Sequence, residues 1–260
     1  MTDADYSPPV DQLLTYGRVH PQREWPNYVE ELQLDASHIP ELLRMGLDPA
    51  LSNADTHSKE VWAPLHAWRA LGQLRAIETL DRLIKLVDTL NDDWLPEEMS
   101  QIISLMGPAS LPHLQTALAN TDLEDITRCQ VSECVAELGQ TYPEHRDDCV
   151  AALTQQLQYD KANGPEINAF LIAALLDLKA VEAEPLMQKV FLARRVEEMI
   201  VGSWAEVQKE LGIQSEVEIP AAPRRPLGQM FSPLPPTHPV GFGSPTPGSK
   251  AAGKGKRKKK

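Results

Sequence analysis

The chain repeats itself. Apolar triplets spaced i, i+3, i+7 occur four times, as Ile77/Leu80/Ile84, Leu111/Leu114/Leu118, Val150/Leu153/Leu157 and Ala183/Leu186/Val190. Such spacing puts each triplet on one face of an α-helix. Ahead of each triplet runs a second apolar segment that stops at a comparable point, at Leu71–Gly72, Met106–Gly107, Leu138–Gly139 and Leu178–Lys179. Measured between those stops, the units are roughly 32 to 40 residues long. Two helices per unit at that period predict an all-α fold, an α-solenoid of stacked antiparallel hairpins that bury their apolar faces only against neighbouring units.

Comparing the units in columns supports the repeat. Three residues before each helix-ending Leu or Met stand Trp68, Ile103, Val135 and Leu175, and four before stand Ala67, Ile102, Cys134 and Ala174. Two adjacent apolar columns make a stripe wide enough to face both the partner helix and the next unit. The hairpins are expected as Val61–Leu71 with Ala76–Leu90, Pro96–Met106 with Ser110–Ala119, Glu124–Leu138 with Asp147–Leu157, and Asn168–Leu178 with Ala183–Arg194. A last amphipathic stretch, Trp204–Leu211, closes the array. Gly72, Gly107 and Gly139 are expected at the helix ends, with Gly72 taking the left-handed conformation that stops a helix.

Residues 1–60 are less repetitive. Pro8, Pro9, Pro21, Pro26, Pro40 and Pro49 cut them into short pieces, and Val10–Tyr16, Asn27–Leu32 and Ile39–Leu47 carry enough apolar residues for short helices. They read as an N-terminal cap, with Ser37 as the N-cap residue before Pro40. Residues 61–213 then form the helical repeats. Residues 214–260 read as a disordered linker rich in proline and glycine, with a basic tail.

Charge divides the chain the same way. Residues 221–260 hold nine Lys or Arg and no Asp or Glu, leaving 16 basic and 37 acidic side chains in residues 1–220, a net of −21 against +9. An acidic body repels nucleic acid and anionic lipid, so polyanion binding is expected only from Lys250, Lys254, Lys256, Arg257, Lys258, Lys259 and Lys260. No aromatic residue interleaves that run, so base-specific recognition is not implied. The prolines at 223, 226, 233 and 236 fit a P-x-x-P spacing, but a plain linker explains them. Three cysteines without a C-x-x-C pair imply no disulfide framework. With no signal-like start and no apolar run of spanning length, a cytoplasmic chain is expected.

The stretches Trp62–Arg75 (WAPLHAWRALGQLR), Asn168–Glu182 (NAFLIAALLDLKAVE) and Gly202–Gly212 (GSWAEVQKELG) resemble bacterial HEAT-like repeat proteins of the phycobilisome-lyase-type repeat group, especially an uncharacterised family common in cyanobacteria. The resemblance covers roughly residues 10–213. It implies a helical repeat fold and no particular activity. Some phycobilin lyases are built from this repeat type, which implies a bilin lyase or chaperone for a tetrapyrrole-binding protein as an alternative function. The Cys-rich zinc motif that ends some relatives is absent here.

Individual residues add no catalytic set. His66, between Trp62 and Trp68, has Ala63 and Arg69 rather than a carboxylate at i±3, and reads as a polar filler. His20, His38, His57, His113, His145 and His238 form no H-x-x-x-H or H-E-x-x-H pattern. Cys134 lies in an apolar column and reads as core, Cys129 and Cys149 are left open, and a tetrapyrrole lyase could use cysteine or acidic side chains. The acidic groups Asp92–Asp93, Glu97–Glu98, Asp122/Glu124/Asp125 and Asp147–Asp148 fall where helices begin, and the positive end of the helix dipole accounts for most of them. No cofactor or metal is expected. The function expected is that of a non-enzymatic scaffold or adaptor whose second helices bind a protein partner. A nucleic-acid- or ribosome-associated protein tethered by its tail is the further alternative.

Overall fold

The computed structural model describes residues 5–18, 24–89, 94–213 and 218–221. The chain divides into two units, 1–222 and 223–260, and the second lies outside the described residues. Every regular element among the described residues is helical; none is a strand. No described helix is long and apolar enough to cross a membrane.

Ten helices carry the architecture: α1 (Ile39–Gly46), α2 (Ala63–Gln73), α3 (Leu80–Thr89), α4 (Trp94–Met106), α5 (Leu111–Ala119), α6 (Asp125–Thr141), α7 (Arg146–Leu157), α8 (Pro165–Asp177), α9 (Glu184–Leu192) and α10 (Trp204–Leu211). Helix α1 packs on α2, α2 on α4, α4 on α6 and α6 on α8. A second row runs beside the first, with α3 against α5 and α5 against α7, while α5 and α7 also pack on α6. Two helices of the inner row are buried nearly all round: every residue of α2 from Ala63 to Gly72 is buried, and in α8 the run from Ile167 to Leu176 faces outward only at Phe170 and Ala173, which are half-buried. A helix buried on all sides is what a central row requires.

Local signals set the helix ends. Pro64, Pro112 and Pro185 occupy first turns, where a missing N–H costs nothing. Helix α10 opens with a capping box between Ser203 and Glu206 and ends at left-handed Gly212. At the N-terminus the expected short helices form at Val10–Thr15 and Tyr28–Glu31, the latter capped by Asn27 Oδ1. Ser37 is not the cap. Asp35 is, accepting from Ser37 N at 2.9 Å while His38 Nδ1 accepts from Asp35 N at 3.1 Å.

Gly72 does not take the left-handed conformation expected of it, and neither Gly72 nor Gly139 is the residue that stops its helix. Gly72 lies inside α2, and Gly139 inside α6, which runs on to Thr141. A Cβ on Gly72 would sit 2.9 Å from the Ile102 carbonyl oxygen of α4, and one on Gly139 would sit 2.8 Å from Leu178 Cδ2. These glycines therefore let helices approach closely. The left-handed residues that stop the first helices are Arg75 (φ 54°), Gly107 (φ 91°) and Lys179 (φ 51°).

Those left-handed positions also reset the repeat register. Arg75 N bonds to Gly72 O, Gly107 N to Ser104 O and Lys179 N to Leu176 O, so Leu71, Ile103 and Leu175 are equivalent. Met106 and Leu178, paired with Leu71 by the sequence columns, lie three residues further on. After each first helix comes a 3₁₀ turn, Ile77–Thr79, Pro108–Ser110, Pro143–His145 or Val181–Ala183, that leads into the second helix. Counted from that turn, Leu83, Leu114, Cys149 and Met187 share one position and are sealed from solvent. One turn later Val87, Leu118, Leu153 and Phe191 are buried too. The triplets are thus out of register with one another: Leu111 opens its helix, Val150 lies a turn along, and Ile77 and Ala183 belong to the preceding 3₁₀ turns.

Helix α1 belongs to the same inner row, although its sequence reads as cap. Gly46 lies so close to Trp68 that a Cβ would meet its Nε1 at 2.9 Å, and Trp68 Nε1 donates to Gly46 O at 3.0 Å. At the other end Phe191 and Trp204 pack with ring centroids 5.3 Å apart. Ile219 is buried, and Pro220 O accepts from Arg194 Nη1 at 2.7 Å, so the last described residues return to the helical body.

Candidate functional site

The basic residues singled out in the tail, Lys250, Lys254, Lys256, Arg257, Lys258, Lys259 and Lys260, lie outside the described residues, as do His20, His238, Asp92, Asp93 and the P-x-x-P segments. The described candidates resolve into a structural group and a cleft.

His66 is part of a buried aromatic and polar knot that ties the N-terminal segment to α2. Gly17 O can only accept, so His66 Nε2 donates to it at 2.8 Å, and Nδ1 accepts from Tyr28 Oη at 2.6 Å. Burial drops the imidazole pKa to about 4, with the nearby Arg69 charge acting in the same direction. The ring is neutral, fully bonded and packed by Tyr16 and Tyr28. Arg69, one turn on, forks onto Glu98 of α4 through Nε (2.7 Å to Oε2) and Nη2, and its guanidinium lies 4.5 Å from the Trp25 ring centroid. Burial alone would lower the Arg69 pKa; bonds to Glu98 and Tyr28 hold it above its ordinary value. Glu98 is therefore half of a buried ion pair, whereas Glu97, Asp125, Asp147 and Asp148 sit in first turns as the dipole argument expects.

The cysteines are buried: Cys134 in α6 beside Ser100, Cys129 in the same helix and Cys149 in α7. Burial pushes the Cys129 and Cys134 thiols up to about 12 and that of Cys149 to about 11. Thiols held there carry almost no thiolate at neutral pH. Among the described residues no group of three or more His, Cys, Asp or Glu is placed to hold a metal ion. His113 pairs with Asp81 at 2.8 Å and His145 approaches Asp148 at 3.4 Å, both at the surface.

A cleft of about 570 Å³ opens between α5 and α7, the second helices of two successive units. Gln115 and Thr116 of α5 form one wall, Gln155 and Gln156 of α7 the other. Tyr159 and Asn163 close one end, and Arg128 of α6 lies at the base. Sequence reasoning missed Arg128, whose only signal is a cation one turn into a helix that begins with carboxylates. Its side chain is 4% exposed. Arg128 Nε donates to Leu118 O at 3.0 Å and Nη2 to Asn163 Oδ1 at 3.4 Å.

A network of amides fixes that base. Gln156 Nε2 donates to Asn163 Oδ1 at 2.7 Å, and Asn163 Nδ2 donates to Gln156 O at 2.9 Å and to Asn168 Oδ1 at 3.0 Å. Asn168 Nδ2 in turn donates to Asp160 O and Arg195 O, both at 2.8 Å, and Arg195 pairs with Asp160. Gly164 (φ 82°) turns the chain into α8 just after Asn163. With both asparagine amides bonded through oxygen and nitrogen, the base of the cleft is preorganised.

No family model, curated protein or solved structure matches this chain. The cleft must therefore be read from its own chemistry. Its lining is amide, hydroxyl, aliphatic and one aromatic, with Arg128 the single charge and no carboxylate, in a body whose net charge is −21. Tyr159 is 59% exposed at the rim, and Ile126, near the start of α6, is 62% exposed. An aromatic side chain held in solvent beside a polar cleft, as Tyr159 is, is a feature of docking surfaces.

Proposed function

We propose that the chain is an α-solenoid of HEAT-like hairpins acting as a non-catalytic docking scaffold, and that a segment of a protein partner seats in the cleft between α5 and α7. The observation that carries this reading is the cleft itself. It is wide, preorganised and lined by side chains that match the donors and acceptors of a peptide backbone, with an exposed aromatic at its rim. The row-on-row packing of successive units supports the solenoid, and the resemblance to HEAT-like repeats agrees with it. Co-purification of the full chain from its native cells, set beside Tyr159→Ala and Gln155→Ala, is the test. A protein partner recovered with the wild type and lost with the rim variants is the expected result. Recovery of small molecules alone, or a partner held equally by all three chains, overturns the reading.

The bilin-lyase alternative fares less well, because all three thiols are buried and protonated. Incubation with a bilin and its apoprotein tests it through an absorbance shift. Charge favours a second role for residues 221–260, whose +9 would bind a polyanion by counterion release. Truncation after Ile219 should then abolish a steeply salt-dependent RNA or DNA affinity, and equal binding by both chains removes that role.

A further inference from the structure

We propose that the cleft is a carboxylate reader: it takes an extended protein segment whose single Asp or Glu side chain seats on Arg128, while the exposed Gln115 and Gln155 amides of the walls bond the segment's backbone. This rests on the docking reading above and assigns it a chemistry. The guanidinium presents five N–H donors. Among the described residues one of them bonds Leu118 O well, and one reaches Asn163 Oδ1 at the long distance of 3.4 Å. Nη1 makes no hydrogen bond. It forms a long ion pair with Asp125 Oδ1 at 3.7 Å, beyond hydrogen-bond distance, on a side chain 67% exposed.

A cation buried to this degree ordinarily holds a carboxylate at hydrogen-bond distance, because a poorly compensated buried charge is costly. The other buried arginine among the described residues shows the contrast: Arg69 forks onto Glu98 at hydrogen-bond distance. Arg128 lines the cleft, and its one ion-pair partner, the exposed Asp125, stands 3.7 Å away.

Charge selects the occupant further. A phosphate group brings about two negative charges, and one cation inside an acidic body is a poor match for it. A planar carboxylate fits the free edge of one guanidinium. The acidic body also repels an acidic stretch, so the segment that fits has one carboxylate flanked by neutral or basic residues. Residues 221–260 contain no Asp or Glu and so supply no such side chain.

The test uses the full chain and fluorescein-labelled degenerate octapeptide pools, with one central position held as Glu, Gln or phosphoserine and no Asp or Glu elsewhere. Fluorescence anisotropy should show the Glu pool binding about tenfold or more tighter than the Gln pool, the scale of a charge-assisted hydrogen bond. Arg128→Met should erase the difference. Because that variant also loses the bond to Leu118 O, Asp125→Asn provides a second arm that leaves the base intact. It removes the exposed competing carboxylate and should tighten the Glu pool about two- to fivefold without changing the Gln pool.

Equal binding of the Glu and Gln pools overturns the proposal, as does an Asp125→Asn chain that treats them as the wild type does. Preference for the phosphoserine pool, or binding of no pool, also overturns it. The docking reading is decided separately. It survives equal binding that is lost in Tyr159→Ala, and falls only if the co-purified partner ignores the rim.

Discussion

Acid should loosen the N-terminal end of this protein through His66. In the folded chain its imidazole is neutral, with Nε2 donating to Gly17 O and Nδ1 accepting from Tyr28, and burial has taken its pKa from 6.5 to about 4. A base whose folded pKa is depressed binds its proton more readily in the unfolded chain. Between pH 6.5 and 4 the unfolded state therefore holds more protons, and stability falls as pH falls through that window. At about 1.4 kcal/mol per factor of ten, the displacement corresponds to roughly 3 kcal/mol, fully present above pH 6.5 and lost towards pH 4. The control is His66→Gln, whose amide can donate to Gly17 O and accept from Tyr28 without titrating. Urea unfolding of both chains at pH 7 and pH 4.5 should show the stability gap between them shifting by about 2 to 3 kcal/mol against the wild type, while titration of the carboxylates common to both chains largely cancels. Parallel pH profiles for the two chains would falsify the neutral, buried assignment.

Other substitutions test the packing. Glu98→Gln leaves Arg69 buried without its carboxylate and should cost about 3 to 5 kcal/mol in urea unfolding, whereas the double change Arg69→Met with Glu98→Leu should recover most of that loss. Gly72→Ala should destabilise by about 1 to 3 kcal/mol despite alanine's better helix propensity, because the new methyl meets a backbone carbonyl; Gly139→Ala should cost less, since it meets movable side-chain atoms. Arg75→Gly relieves a left-handed arginine at an exposed turn and should stabilise by about 0.5 to 1 kcal/mol, read from the urea midpoint. The three cysteines should react with an aromatic disulfide reagent at pH 8 only as fast as the chain unfolds, and rapid labelling of the native protein would refute their burial.

Much of the fold was legible because helix periodicity is a local property. The apolar columns Trp68/Ile103/Val135/Leu175 and Ala67/Ile102/Cys134/Ala174 are all buried, and α10 begins and ends where its amphipathic stretch does. The site was less legible. Arg128, Asn163 and Gln156 are separated by up to 35 residues, and each alone reads as an ordinary polar residue on a helix or in a turn. Only the stacking of α5, α6 and α7 brings them to one cleft. The place of α1 in the inner row was missed for a related reason. Prolines dominate residues 1–60, and the equivalence of Gly46 to the later glycines shows only where Trp68 closes on it.

The amino-acid order by itself determined that this protein is helical, that its helices come in pairs and which face of each is apolar. It did not determine how the pairs line up. With 3.6 residues per turn, a helix slid by three or four residues presents almost the same face, so Met106 could stand for Ile103 and Leu178 for Leu175 without leaving the apolar stripe. The register was decided by the left-handed turns at Arg75, Gly107 and Lys179 and by glycines that admit a neighbouring helix at contact distance. The tertiary structure alone also decided which buried charges found partners. Arg69 met Glu98 across two helices, and Arg128 kept only a long ion pair to the exposed Asp125 beside a cleft.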